Sequence, residues 1–349
     1  MGAAAARRPR RATGSPGRGG ARGGQAPART VSDRTAERAL GALACVVLAL
    51  ILGMIVFVFA KAWPSFEANG LGWFGSSGDV DRQIGSIFDS PEKKQFWRYE
   101  LSAWPLLYGT ALTTLVAVVF GLIFSLFAAI FIVEFAPPRL NRVLQPVVRL
   151  LAAVPSVIYG LIGILVLVPF VADTFISPER KESVAGIVQL TGPGWLVATV
   201  ILMVMIIPIM IALIVDALRA VPSTWTEGAA ALGANRWRVM WTIAVRTARP
   251  AIVAAAVLAT ARALGEAIML SMVSGSAGFA PNPIDGFTFL FEPTRPLAAT
   301  IVDNAEGLSV EPFAQTLYAF AAVLLISSVF LSIGGYIAKR PLRKYGVRP

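Results

Sequence analysis

The sequence predicts an all-α integral membrane protein with six transmembrane helices. Of its 349 residues, 56% are apolar and only 15% are charged, whereas soluble domains keep about 25% of their residues charged. The apolar residues are concentrated in six long runs, and each run exceeds the roughly 20 residues that a helix needs to cross the hydrocarbon core. Composition and run length therefore both exclude a soluble domain.

The N-terminal segment 1–38 is dominated by Ala, Arg, Gly and Pro, and nine of its residues are arginines. Because it has too few apolar residues to offset the entropy lost on ordering, we expect a disordered basic tail. Arginine pairs such as Arg7 and Arg8 also occur in export signals, but no small-residue cleavage site follows the first apolar run. The first span is therefore expected to be retained.

Six spans are expected along the chain, and the sequence Thr-Gly-Pro-Gly at 191–194 sets the start of the fourth because it interrupts the preceding apolar stretch. The predicted limits are 40–61, 105–133, 150–171, 195–215, 251–274 and 314–338. Tryptophans stand at several span ends, where an interfacial aromatic belt is expected.

The basic residues predict the orientation of these spans. The tail, the loops 134–149 and 216–250 and the C-terminal segment carry 22 lysines and arginines, against 8 in the alternate loops. By the positive-inside rule both termini are expected in the cytoplasm. The net charge of +11 thus follows membrane topology, and nucleic acid is not an expected partner. The outer loops hold 14 of the 20 acids, either as a solvated rim or as a docking surface.

The residue inventory excludes several chemistries. There is no histidine, which removes the commonest metal ligand and the usual neutral-pH base. The single cysteine, Cys45, excludes an intrachain disulfide. No lysine follows a glycine, so the chain lacks an ATP-binding P-loop. We expect no resident metal, no cofactor and no enzymatic activity in this chain.

Two ionisable residues, Arg262 and Glu266, fall deep inside the predicted spans. If the fifth helix begins at Ala251, Arg262 lies 11 residues in, about 16 Å along the axis, and Glu266 follows on the same helix face. A charge at this depth costs about 2.5 to 3.5 kcal/mol, so the pair must face the bundle interior or a wet cavity. One interpretation is a structural ion pair. We favour a substrate site, in which the Arg262 fork binds an anion and Glu266 holds the fork while the path is empty.

Ser156 follows Pro155 in the third span and is a weaker candidate for the substrate path. Proline frees a backbone carbonyl, and a hydroxyl beside a broken turn can line a pathway. The simpler interpretation, which we prefer, is a local kink in which Ser156 bonds its own backbone.

The loop 216–250 contains a candidate short helix. Thr224 and Glu227 are spaced for a capping box, an alanine-rich stretch follows to Leu232, and Gly233 is expected to end the helix. A helix between two spans either lies flat on the bilayer or docks into another protein, and its periodicity does not choose between them.

The same segment resembles the E-A-A-x3-G-x9-I-x-L-P signature of bacterial ABC importer permeases. Residues 227–229 (Glu-Gly-Ala) are followed at the required spacing by Gly233 and Ile243. In that family the segment is the coupling helix that docks into a groove of the ATPase. The resemblance implies this role for Glu227, Gly228, Ala229 and Gly233. The sequence departs from the signature at Gly228, where Ala is usual, and at 245–246, where Val-Arg replaces Leu-Pro.

Three further stretches narrow the resemblance to phosphate-specific ABC importer permeases. They are R-A-L-G-E-A at 262–267, L-A-A-V-P-S-V-I-Y-G at 151–160 and P-L-L-Y-G-T at 105–110. The basic tail, the extra first span and the long outer loop resemble the PstC type rather than its sister permease. The resemblance covers about 100–340 and implies that Arg262 and Glu266 pass phosphate.

The resemblance implies the type I ABC importer permease fold and its organisation. The first transmembrane helix and outer loop would occupy 39–100, and a five-helix core with a coupling helix near 223–233 would occupy 101–341. A cytoplasmic tail at 342–349 would follow. The implied function is import of inorganic phosphate by alternating access, in the bacterial plasma membrane and in contact with its lipid. The implied partners are a sister permease (PstA type), a cytosolic ATPase dimer (PstB type) and an external phosphate-binding lipoprotein or periplasmic protein (PstS type).

Other functions remain open. Sulfate or molybdate is the alternative substrate within the same class. An ion-coupled secondary transporter would need intramembrane acids, and only Glu266 is available, beside a cation. A membrane hydrolase or lipid-processing enzyme would need a histidine, a metal cluster or an acidic pair at a span end, and the sequence offers none.

Overall fold

A computed structural model of the chain describes residues 31–91, 93–177, 179, 182 and 190–342. Within these ranges the chain forms helices joined by turns, without a strand, and one isolated bridge pairs Gly275 with Thr294. The predicted all-α fold class is confirmed. The chain divides into two compact units, residues 1–53 and 54–349.

The helices that carry the architecture are numbered in chain order. They are α1 Val31–Asn69, α2 Val80–Phe88, α3 Trp104–Ile130, α4 Pro138–Ala152, α5 Ser156–Ile162, α6 Val168–Thr174, α7 Trp195–Arg219, α8 Ser223–Ala231, α9 Arg236–Val239, α10 Val245–Leu264, α11 Ile268–Val273, α12 Leu297–Asp303 and α13 Glu311–Leu342. Single π-helical turns extend α3 and join α5 to α6 and α9 to α10; they are Phe131–Phe135, Gly163–Leu167 and Met240–Ala244.

Six helical stretches are long and apolar enough to cross a membrane, as predicted. They are Thr35–Phe74, Trp104–Phe135, Ser156–Thr174, Trp195–Arg219, Arg236–Leu264 and Glu311–Arg340. The fourth begins at Trp195, where the glycines and the proline before it led us to expect its start.

The fifth span is longer than predicted, because its helix begins at Arg236 and not at Ala251. The prediction placed Pro250 and the neighbouring arginines outside the helix. In the structure those arginines are exposed, and the helix continues through Pro250 after the π turn at Met240–Ala244. Neighbouring helices and local π adjustments can satisfy the backbone groups that a proline frees. Arg262 therefore lies in the last turn of a long helix, and the depth counted from Ala251 does not apply.

The third span is shorter than predicted, because it begins at Ser156 and not at 150. Pro155 precedes the first helical residue of α5, and proline disfavours the helical conformation in the residue before it. Residues 150–152 therefore belong to the separate helix α4.

Most of the two predicted terminal tails, residues 1–30 and 343–349, lies outside the described residues. Residues 31–38, which we expected to be disordered, form the first turns of α1 in the structure.

Helix α7 is the most buried span, and α3, α4 and α10 pack against it. Small residues permit the closest approach between helices elsewhere in the core. A Cβ atom added at Gly160 of α5 would lie 2.9 Å from Sδ of Met272 and 3.2 Å from Cα of Met269 in α11. The pair α5 and α11 can therefore pack at this distance only because residue 160 has no side chain.

A second apolar cluster joins the segment between α1 and α3 to α13. Trp73 and Phe320 are both fully buried in it, with ring centroids 5.9 Å apart. Helix α2 begins beside this cluster at Asp79, whose Oδ1 accepts the backbone N–H groups of Asp81 and Arg82. The long outer loop predicted from the sequence is thus a packed helical segment.

Candidate functional site

Arg262 lies two residues before the end of α10 and is partly buried. Its Nε atom is buried without a hydrogen-bond partner, and no ion pair of its guanidinium exists among the described residues. Burying a polar atom without a hydrogen-bond partner is costly. The guanidinium is therefore free to gain from an anion that reaches it.

Glu266 does not share a continuous helix with Arg262. Helix α10 ends at Leu264, and Glu266 stands in the short break before α11. Its side chain is buried, and its Oε1 accepts the backbone N–H of Met269 at 3.2 Å. The prediction that Glu266 holds the Arg262 fork on one helix face is therefore wrong for this structure. The reason is that the break at Gly265 ends the helical spacing, while the unpaired N–H groups at the start of α11 need an acceptor.

The packing of α5 on α11 brings Ser156 to the level of this break. Gly160 contacts Met269, and three residues later Gly163 contacts Val273. The two helices therefore run in the same direction where they touch. Ser156 lies one turn before Gly160, which places it near the level of Glu266, one turn before Met269.

The kink that we preferred as the explanation of Ser156 is present, but its hydrogen bond is not. Helix α4 ends at Ala152, and α5 begins directly after Pro155. In the described part of the chain, the Ser156 hydroxyl makes no hydrogen bond to its own backbone. The hydroxyl is therefore available at the broken turn.

Tyr159 lies on the same short helix as Ser156 and was not singled out from the sequence. It is buried, and its hydroxyl donates to the carbonyl of Leu151 at 3.0 Å. A tyrosine one turn after Pro155 also suits ordinary packing, so its position in the sequence did not indicate a role at the site.

The predicted coupling segment forms the exposed helix α8, which ends near Gly233. The helix begins at Ser223, so the capping box predicted from Thr224 and Glu227 is wrong. Instead the Thr226 hydroxyl donates to the Ser223 carbonyl at 2.8 Å. Pro222 sets this earlier start because its fixed φ suits the residue that precedes a first helical turn.

Gly233 ends α8 in the way expected of a helix-terminating glycine. Its φ is +83°, in the left-handed region. The N–H of Gly233 bonds the carbonyl of Ala230, and the N–H of Ala234 bonds the carbonyl of Ala229. This bonding is the Schellman pattern. Leu232 beside it is 91% exposed, so the end of α8 presents an apolar side chain to its surroundings.

An aromatic cluster connects the residues after α8 to the end of α3. Trp237 of α9 contacts the rings of Phe127, Phe135 and Trp241. Arg236 lies 3.7 Å from Glu134 in the same region. Residues 245–246, where the sequence departs from the family signature, lie inside α10 and form no turn. The turn after α8 is formed instead by Gly233 and by Asn235, which caps α9.

Several acids of the loops that were predicted to face outward, which we expected in a solvated rim or a docking surface, have partners within the protein. Arg295 lies 2.8 Å from Asp81 and 3.7 Å from Asp303. Asp81 also accepts the backbone N–H of Gly278. A cavity of about 600 Å³ opens beside Asp79 and Asp81. No group of three or more acids or cysteines suited to a metal occurs in the described residues.

Comparison with known proteins identifies several similarities. Residues 121–343 match the family described as binding-protein-dependent transport system inner membrane component. The chain is 31% identical to a probable ABC transporter permease protein, YqgH, of Bacillus subtilis, over 86% of this chain and 88% of that protein. It is 32% identical to the phosphate transport system permease protein PstC 2 of Mycobacterium tuberculosis, over 87% of this chain and 90% of that protein. A solved bacterial alginate ABC transporter, in complex with an alginate-bound periplasmic protein, has a TM-score of 0.56. It is 15% identical, over 92% of this chain and all of that one.

Proposed function

Because this chain belongs to the family of binding-protein-dependent transport system inner membrane components, we propose that it is the permease subunit of an ATP-driven importer of inorganic phosphate. The chain is a multi-pass membrane protein with the type I ABC importer permease fold. Its relatives are permease subunits rather than enzymes. Phosphate as the substrate is supported by the relatives that are phosphate permeases.

The free guanidinium of Arg262 is the observation that carries this proposal. A planar fork of donors matches a tetrahedral oxyanion in two parallel hydrogen bonds. Nothing among the described side chains competes for it. In the proposed path the Ser156 hydroxyl is a further hydrogen-bond donor to the anion. Glu266 stabilises the break between α10 and α11 and does not hold the Arg262 guanidinium.

Transport is proposed to follow alternating access. ATP closes a partner ATPase dimer of the PstB type, and α8 carries that motion into the bundle through Glu227, Gly228, Ala229 and Gly233. A sister permease of the PstA type completes the path, and an external phosphate-binding protein of the PstS type supplies substrate. The exposed apolar end of α8, at Leu232, supports the docking of this helix on a protein rather than its solvation.

The orientation proposed is that of a bacterial plasma membrane protein with both termini in the cytoplasm. It rests on the excess of arginine and lysine in the loops that contain α4 and α8. A thiol test decides it in a Cys45→Ser background. Asp89→Cys should react with an impermeant reagent added outside, and Gly228→Cys should not. The opposite labelling would reverse the orientation.

Sulfate and molybdate are the second candidates, because the Arg262 fork suits any tetrahedral oxyanion. An ion-coupled secondary transporter is not favoured, because the family depends on a binding protein. The decisive experiment purifies the complex and measures its ATPase activity with the binding protein and with phosphate, sulfate or molybdate. Stimulation by phosphate alone is expected, and stimulation by another anion alone would replace the proposed substrate.

A further inference from the structure

Helix α4 has one face that is fixed to the rest of the protein. Leu144 and Val148 pack against the apolar core. On the same face the Asn141 side chain donates to the Ile132 carbonyl at 3.1 Å, and the Gln145 side chain accepts from Arg219 at 2.9 Å. These positions repeat every three or four residues, so they form a single stripe along the helix.

A second stripe of α4 is apolar and exposed. Its members recur at helical spacing and share one side of the helix: Leu140, Val143, Val147, Leu150 and Leu151. Their exposed fractions run from 39% at Leu140 to 69% at Leu150. Five adjacent aliphatic side chains in water would be an unusual surface for a short helix.

Arginines border the apolar stripe along one side, between it and the stripe that contacts the core. Arg139 and Arg142 are exposed, and neither has an ion pair or hydrogen bond within the described ranges. Arg149 is also exposed and lies 3.8 Å from Asp216. The exposed surface of α4 is therefore apolar on one flank and basic on the other, the composition of helices that lie in a membrane interface.

The connections of α4 keep it close to the membrane. The span Trp104–Phe135 ends three residues before α4 begins, and the span Ser156–Thr174 begins four residues after α4 ends. Two consecutive spans joined by so short a segment leave and re-enter the same membrane face. The 15 residues of α4, about 22 Å long, therefore cannot move far from the headgroups.

We propose that α4 is an interfacial helix that binds anionic phospholipid. Its apolar stripe inserts at the boundary between headgroups and acyl chains, and Arg139 and Arg142 bind the phosphate groups of anionic lipids. Charge complementarity favours lipid over a protein partner, because the basic flank adjoins the apolar stripe along the helix. The proposal rests on the membrane location of the chain and not on its transported substrate.

Spin labels test where the apolar stripe lies. In a Cys45→Ser background, nitroxides at Val143→Cys and Leu150→Cys are placed in the complete importer complex, in liposomes containing phosphatidylglycerol. The nitroxides on α4 should collide with oxygen at least three times as often as with a water-soluble nickel chelate. A label at Asp89→Cys, in an exposed outer loop, should show the opposite preference.

Two other results would overturn the proposal. Strong collision of the α4 labels with the nickel chelate would place the stripe in water. Weak collision with both reagents would place it against a protein, such as the sister permease.

The arginines are tested separately by lipid retention. Complexes carrying R139Q and R142Q together are purified in detergent, and their retained phosphatidylglycerol is measured by mass spectrometry. Each arginine near an anionic surface strengthens binding about fivefold, so retention should fall markedly. The control K93Q with R98Q removes two exposed charges from the outer loop and should change nothing. Equal retention in both variants would contradict the assignment of the arginines.

Discussion

The indole of Trp237 stacks on the ring of Phe127, with centroids 6.4 Å apart and an interplanar angle of 12°. Trp237 follows the proposed coupling helix by six residues, and Phe127 lies in the last turn of α3. Trp241 packs edge-on against both rings. A displacement of α8 and of the turn that follows it therefore has a contact route into the second span through these rings.

The first prediction is that Trp237→Ala uncouples ATP hydrolysis from transport. The substitution removes the contact with Phe127, and aromatic pairs contribute about 0.5 to 1.5 kcal/mol beyond burial. The ATPase subunits should still copurify, because α8 itself is unchanged. Phosphate uptake per ATP hydrolysed in proteoliposomes should fall at least fivefold.

Trp237→Phe is the matched control, because it retains an aromatic ring at the stack. It should keep most of the transport of the unaltered complex. If Trp237→Ala transported phosphate with unchanged stoichiometry, the aromatic cluster would have no part in coupling.

The second prediction contrasts the two glycines of α8. Gly233 needs its φ of +83°, and a non-glycine residue there costs about 1 to 2 kcal/mol. Gly228 lies within the helix, and a Cβ at either position would meet no atom within 4 Å. Gly233→Ala should therefore weaken retention of the ATPase subunits during purification. Gly228→Ala should maintain or increase it, since alanine favours the helix by about 1 kcal/mol. Equal effects would show that backbone conformation at 233 does not matter for docking.

The third prediction concerns the ion pairs of Arg295. Arg295 is largely buried between Asp81 and Asp303, and hydrogen bonds to charged groups contribute about 1.5 to 3 kcal/mol. Arg295→Met should lower the thermal unfolding temperature of the purified complex by several degrees. The control Arg82→Met breaks the exposed pair with Asp79, which should contribute almost nothing. Similar unfolding temperatures for the two variants would contradict an internal role for Arg295.

The number of spans could be predicted from the sequence because lipid imposes a length of apolar helix that composition reveals directly. Most of their ends could not, because they depend on local backbone chemistry; the start of the fourth at Trp195 is an exception. Pro250 was expected to stand just before a helix, yet the helix passes through it, whereas Pro155 does separate α4 from α5. The same residue type has opposite outcomes because neighbouring helices decide whether freed backbone groups are satisfied.

The residues singled out for the site stay a prediction, whereas the contact predicted between Arg262 and Glu266 is wrong. Arg262 and Glu266 stood out because charges are rare inside spans. Their pairing was inferred from an unbroken helix, and the end of α10 at Leu264 removes that assumption. Tyr159 was not singled out, because its hydrogen bond to the carbonyl of Leu151 depends on the end of α4 at Ala152, and the predicted span 150–171 ran through that residue.

The last prediction separates a substrate role for Arg262 from a structural one. Arg262→Lys keeps the charge but loses the planar fork, so phosphate uptake should fall at least tenfold. Arg262→Leu should abolish uptake without lowering stability, because the guanidinium has no partner to lose among the described residues. Glu266→Leu should instead cost about 1 kcal/mol of stability, because the N–H of Met269 loses its acceptor.

Uptake is measured in cells whose only phosphate importer carries the variant and is normalised to inserted protein. Stability is measured on the purified complex. Substantial uptake by a well-inserted Arg262→Leu protein would mean that the guanidinium does not bind the substrate. A large loss of stability in that variant would mean that Arg262 is a structural residue.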